Sequence, residues 1–165
     1  MARSNAKRQV VTYNASPTAS EFHRSKARIK LLVGPVGSGS SSACLFDCMM
    51  RCVRQTPDPE GVRRRTVLIC RNSYPKLRTT VKRTMEHWIP DGTGFELTGQ
   101  APIMGSLERP LGDGTKMKLE FILMAFDEPS KIEDDLRSFE FSDLWINEAK
   151  ENHPWILKYG QQRLG

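Results

Sequence analysis

The residues with the clearest chemical content are Gly34, Gly39 and Ser41, set in the stretch "LLVGPVGSGSSSAC" from Leu31 to Cys44. Their spacing fits the phosphate-binding pattern G-x-x-x-x-G-K-[ST] with one departure: Ser40 stands where the lysine belongs. In a loop of this kind, backbone N–H groups at the start of a helix converge on an anion, and a hydroxyl at the position of Ser41 reaches Mg²⁺. Gly37 and Gly39 are suited to the positive φ that such a turn requires. The lysine would neutralise the β- and γ-phosphates and follow charge developing on a transferred phosphoryl group, whereas a serine offers one neutral hydrogen bond. Gly34, Pro35, Val36, Gly37, Ser38, Gly39, Ser40, Ser41 and Ser42 are therefore expected to cradle a nucleotide, with weakened binding and strongly reduced turnover. Lys30, Arg28 and Arg71 are the cations available to substitute, Lys30 from the far end of its own strand.

Hydrolysis would also need a carboxylate or its equivalent on Mg²⁺ and another to orient water, at a strand end beside the glycine turn. Two segments compete. "ILMAFDE" supplies Asp127 and Glu128 after four apolar residues, and "DLWINEA" supplies Asn147 and Glu148, with Asn where Asp is usual. Pro129 drives Glu128 into an extended conformation that suits a turn and helix start, so Asp127 reads equally well as a capping residue. From the residues alone both segments stay open.

The elements that must position these groups alternate along the chain. Ile29–Gly34 reads as a short buried strand entering the glycine turn, and Ser41–Arg54 as a helix with one apolar face. Thr66–Cys70 is a second strand, and Leu77, Val81, Met85 and Trp88 have helical spacing within Lys76–Trp88. Pro90–Gly114, rich in Gly and Pro, reads as an extended or hairpin excursion. Met117–Phe126 is a third, longer strand, a short helix begun by Pro129 follows, Phe141–Asn147 is a fourth strand, and helix resumes near Pro154. This alternation predicts an α/β fold with a parallel sheet covered on both faces.

The 165 residues, 38% of them hydrophobic, suit one such domain. The net charge of +6 lies in the head: residues 1–30 hold seven Lys or Arg against Glu21 alone, and the remainder balances at eighteen of each sign. Residues 1–20 thus read as a basic, solvated head and 21–165 as the domain, with contact to nucleic acid or an acidic partner as the head's other reading. No apolar run approaches a membrane span or a secretory signal, so a chain that is neither secreted nor membrane-bound is expected. Cys44, Cys48 and Cys52 form one helical stripe without a C-x-x-C pair, which suits packing better than zinc.

Together "GPVGSGSSSAC", "RNSYPKLRTTV" from Arg71, "DGTKMKLEFILMAFDEP" from Asp113 and "LWINEAKE" from Leu144 resemble the N-terminal ATPase domain of tailed-bacteriophage large terminase subunits, with order and spacing agreeing over about residues 18–165. The resemblance implies a P-loop NTPase fold of the RecA/ASCE type, in truncated form, with ATP and Mg²⁺ as ligands. It places the second nucleotide motif at Asn147–Ala149, making Glu148 the catalytic carboxylate and Asn147, with Ser41, the Mg²⁺-side residues; Asp127–Pro129 then ends the preceding strand. Arg71 becomes a phosphate-facing or intersubunit catalytic arginine, or else a strand-end residue in a salt bridge or a DNA-facing loop. The implied partners are double-stranded DNA, a portal protein, a small terminase subunit and further copies in a ring, in the host-cell cytoplasm. The chain departs from the family at Ser40, and neither the coupling strand nor the nuclease domain is recognisable. A small-molecule kinase or other unrelated P-loop NTPase, and a non-hydrolytic nucleotide- or DNA-binding module, are the alternatives. Phe22 and His23 stand where an adenine contact or simple packing is expected. Arg63–Arg65 and the face bearing Lys76, Lys82 and Arg83 stand where DNA phosphates or solvent are expected.

Overall fold

A computed structural model describes residues 11–35, 37–90 and 93–164. Strand β1 (Val62–Arg71) lies inside a four-stranded sheet of order β2-β3-β1-β4, with β2 spanning Ile103–Pro110, β3 Lys116–Ala125 and β4 Asp143–Ile146. β1 runs parallel to both neighbours, pairing Val62 with Lys116 through Arg71 with Ala125 on one side and Val67 with Asp143 through Cys70 with Ile146 on the other.

Because β1 and β3 are covered on both faces, their alternate residues feed two cores, which is why they read as continuous apolar runs. Val67, Ile69, Leu119, Phe121 and Leu123 meet helices α2 (Ser40–Arg54), α3 (Tyr74–Leu77) and α4 (Arg83–Trp88), where Leu45, Cys48, Cys52, Leu77 and Met85 are buried, together with Val81 from the turn between α3 and α4. Leu68, Cys70 and Ile122 meet Ile132 and Leu136 of α5 (Ile132–Arg137) and Ile156 of α6 (Trp155–Arg163). The cysteine stripe is part of the first core, with Cys52 Sγ donating to the Arg63 carbonyl at 3.1 Å.

Two expectations are corrected. Ile29–Gly34 is not a buried strand: the chain bends at Ile29, the segment has no ladder partner among the described residues, and Ile29, Leu31 and Val33 are 56%, 77% and 77% exposed. A strand needs a hydrogen-bonding neighbour, and β4, the last strand on that side, pairs with β1 alone among the described residues. The sheet is also not wholly parallel. β2 emerges from the Gly- and Pro-rich stretch and runs antiparallel to β3, because the tight Leu111–Thr115 turn, with Gly114 at φ 82°, leaves no length for a crossover.

Between α3 and α4 the chain makes a π-helical turn, Arg78–Lys82. Threonine hydroxyls explain its form: Thr80 Oγ1 donates to the Lys76 carbonyl at 2.6 Å and Thr79 Oγ1 to that of Pro75 at 3.0 Å, competing with the backbone ladder.

Candidate functional site

The C-terminal ends of β1 and β4 meet the N-terminus of α2. Gly39 precedes α2 in the left-handed region at φ 78°, and Gly37 sits at φ 80°. The first intrahelical bond runs from the Ala43 N–H to the Gly39 carbonyl at 2.9 Å, so the N–H groups of Ser40, Ser41 and Ser42 are orphan donors at a positive dipole end. Gly34 admits no side chain without displacement, since a Cβ there would stand 2.5 Å from Ser38 Oγ. Val36 lies outside the described residues. Gly34, Pro35, Ser38, Gly39, Ser40 and Ser42 line a cleft of about 500 Å³ together with Leu32, Ser16, Tyr13 and Trp88. Trp88 Nε1 donates to Ser42 Oγ at 2.8 Å, and Tyr13 stacks on Phe46 with ring centroids 4.0 Å apart.

The three cations available to replace the loop lysine all have protein partners. Lys30 Nζ donates to both oxygens of Asp47, at 3.0 and 3.1 Å, and to the Phe22 carbonyl at 2.9 Å. Arg28 reaches the Gln161 carbonyl at 3.2 Å. Arg71, 8% exposed, donates to Asn147 Oδ1 at 2.7 Å and to Thr80 Oγ1 at 2.9 Å, and faces Glu151 at 3.5 Å. Lys76 holds the same Glu151 carboxylate at 2.8 Å, and these two cations keep its acid form below the ordinary carboxylate range, Lys76 contributing most.

Asn147 is the residue from the competing acidic segments that the structure brings to the loop. It is 6% exposed, and its Nδ2 stands 3.4 Å from Ser41 Oγ. Glu148 follows it in the left-handed region, φ 54° and ψ 62°, the single non-glycine residue with positive φ among the described residues. Asn152 secures this turn by donating from Nδ2 to the carbonyls of Asn147 and Glu148 at 2.8 and 2.9 Å. The Glu148 side chain is exposed. Asp127 and Glu128 close β3 on the other side of β1, exposed, with Glu128 paired to Lys131 at 2.6 Å.

As a metal site the donor set is thin. No group of three or more His, Cys, Asp or Glu side chains is placed to hold an ion among the described residues. Near Ser41 the neighbouring amide presents an N–H, and its oxygen is taken by Arg71. These side chains do not by themselves fit a protein-held Mg²⁺, which favours several oxygen ligands including carboxylates.

Sequence reasoning missed the centre of the adjoining ion network. Asp47, buried on α2, accepts from Lys30, from Arg51 Nε at 3.1 Å and lies 3.2 Å from His23 Nδ1. A carboxylate on an apolar helix stripe was the available signal. His23 is thereby packed inward, its Nε2 3.1 Å from the Tyr13 hydroxyl, and the cleft wall is formed by residues before it. The basic runs are largely paired: Arg63 with Asp113, Arg64 with Asp58 and Glu60, Arg65 with Asp143, and Lys82 with Glu86. No helix among the described residues is long and apolar enough to cross a membrane.

The fold is similar to that of a large terminase from a thermophilic bacteriophage, with a TM-score of 0.53 and 13% identity over 80% of this chain and 30% of that one. Another crystal form of that terminase, in complex with ADP, gives a TM-score of 0.49 and 13% identity over 79% and 29% of the two chains. At this identity the likeness establishes a shared α/β fold, and the chain spans less than a third of its structural neighbour. No protein-family model and no curated protein matches the sequence.

Proposed function

We propose that this chain is a P-loop nucleotide-binding domain of the kind that drives genome packaging in tailed bacteriophages. The observation that carries this reading is the glycine loop launching α2 beside Asn147 and Glu148 at the end of β4, in a fold shared with a large terminase. The orphan N–H groups of Ser40–Ser42 bind the phosphates of ATP, and the cleft toward Tyr13 and Trp88 takes the rest of the nucleotide. Glu148 orients the attacking water from the strained turn that Asn152 holds. In the full machine, hydrolysis would be coupled to duplex DNA translocation by a ring of copies docked on a portal protein and supplied by a small terminase subunit. The host cytoplasm is the matching location. The absent lysine makes binding stronger evidence than turnover. A domain that binds nucleotide without hydrolysing it is the second reading, favoured by the engagement of Lys30, Arg28 and Arg71 with other protein groups.

The test is a titration of a fluorescent ATP analogue into the wild-type chain, Ser40→Lys and Gly39→Val at equal ionic strength. An ammonium at position 40 adds charge-assisted contacts of about 1.5–3 kcal/mol, or about one to two decades in Kd. Gly39→Val requires a β-branched residue at φ 78° and abolishes binding. Equal affinity for all three proteins refutes the nucleotide reading.

A further inference from the structure

Arg71 has only donors, so the atom of Asn147 lying 2.7 Å from its Nη1 is the carbonyl oxygen of the side chain. The opposite end of the amide, Nδ2, therefore faces Ser41 Oγ at 3.4 Å. Turning the amide over would set its NH₂ against the guanidinium inside a buried site, two donors and a positive charge facing one another. The same Nη1 also donates to Thr80 Oγ1 at 2.9 Å and Nη2 faces Glu151 at 3.5 Å, so the guanidinium is not free to follow a flipped amide. Its Nε is buried without a partner among the described residues, so the guanidinium has given up a hydrogen bond to keep this position. The outcome is a neutral N–H donor, fixed at the head of α2, beside the loop whose lysine is missing.

We propose that Asn147 recognises the anion and not the metal: its Nδ2 donates to a phosphate oxygen of the bound nucleotide, with Arg71 as the positioning residue that fixes the amide's direction. This role rests on the nucleotide reading above and differs from the Mg²⁺ role that the family resemblance implies. One N–H of Nδ2 points to Ser41 across a long contact, and an incoming phosphate oxygen at the loop offers it a better acceptor. The amide then supplies part of what the lysine would, without charge, and binding depends little on the divalent ion.

The probe is a fluorescent ATP analogue titrated with EDTA and, separately, with excess Mg²⁺. Wild-type affinity in EDTA is expected within about threefold of that in Mg²⁺, and Asn147→Asp loses about tenfold or more in EDTA, where a carboxylate faces phosphate. Arg71→Gln, which can accept from the amide and so permits the flip, loses about as much, whereas Arg71→Lys, still a pure donor, stays within about threefold of wild type. In the wild-type chain, the side-chain N–H resonances of Asn147 shift on adding ATP without metal, a readout independent of whether any variant folds. Asn147→Asp binding as well as wild type in EDTA, or tightening only with Mg²⁺, overturns the proposal and returns Asn147 to the metal. Unmoved Asn147 resonances in a saturated wild-type sample also overturn it. Wild-type binding no stronger than that of Gly39→Val sinks the nucleotide reading itself, a result distinct from either.

Discussion

Glu148 carries a cost that its neighbours on β4 do not. A non-glycine residue in the left-handed region is disfavoured by about 1–2 kcal/mol, and here the Asn152 side chain holds it there through two carbonyls. Strain of this kind gathers at functional sites, and Glu148 directly follows Asn147, whose amide faces Ser41. Glu128, by contrast, has ordinary extended backbone and a lysine partner. In a Ser40→Lys background, Glu148→Gln is expected to retain ATP binding while losing about 10²-fold or more in turnover, and Glu128→Gln to change neither appreciably. Phosphate-release kinetics beside the binding titration check this, and the opposite ranking would transfer the role to the strand end at Asp127–Glu128.

At the level of elements, Asp47 ties α2 to α1 (Pro17–Arg24) through His23 and to the irregular segment before the glycine loop through Lys30, while Arg51 continues from Asp47 to Asp143 at the start of β4. Asp47→Ala leaves the Lys30 ammonium, 8% exposed, without its carboxylate. The expected loss is about 3–5 kcal/mol, read as a lower urea midpoint at unchanged slope. A loss below about 1 kcal/mol would mean that water already screens the cluster. This network also marks the limit of what the amino-acid sequence discloses. The glycine loop, α2, β1, β3 and β4 are legible because their signals are local: turn glycines, a helical stripe and apolar runs bounded by polar turns. Ile29, Leu31 and Val33 have the alternation of a strand, but alternation does not provide a hydrogen-bonding neighbour, and the segment remains unpaired among the described residues. The site contacts are less legible still. Arg71 and Asn147 meet only because β1 and β4 are adjacent, and no local pattern announces that pairing.

Taken as one body, the molecule keeps its thiols from solvent. Burial raises all four: Cys44 to about 12, helped by the Asp47 carboxylate, and Cys48 and Cys70 further, while Cys52 rises despite the nearby Arg65 and Arg63 guanidinium groups. Since alkylation requires thiolate, native protein at pH 8 should react slowly at Cys44 and at Cys48, Cys52 and Cys70 only through unfolding, whereas all four react promptly in concentrated urea. Mass spectrometry of iodoacetamide-treated samples checks this, and rapid native labelling of Cys70 would contradict the two-core arrangement. The sheet order has a further consequence for synthesis. β1 must wait for β3 and β4, both far downstream, before its apolar half finds a ladder, and chains built on such long-range pairing fold slowly. A nascent segment "TVLIC" left unpaired is the sort of β-rich, uncharged run that self-associates, and Arg63, Arg64 and Arg65 stand immediately before it. The three arginines thus act as gatekeepers of the growing chain as well as salt-bridge partners of the finished one, and replacing them with threonine should make refolding yield fall as protein concentration rises.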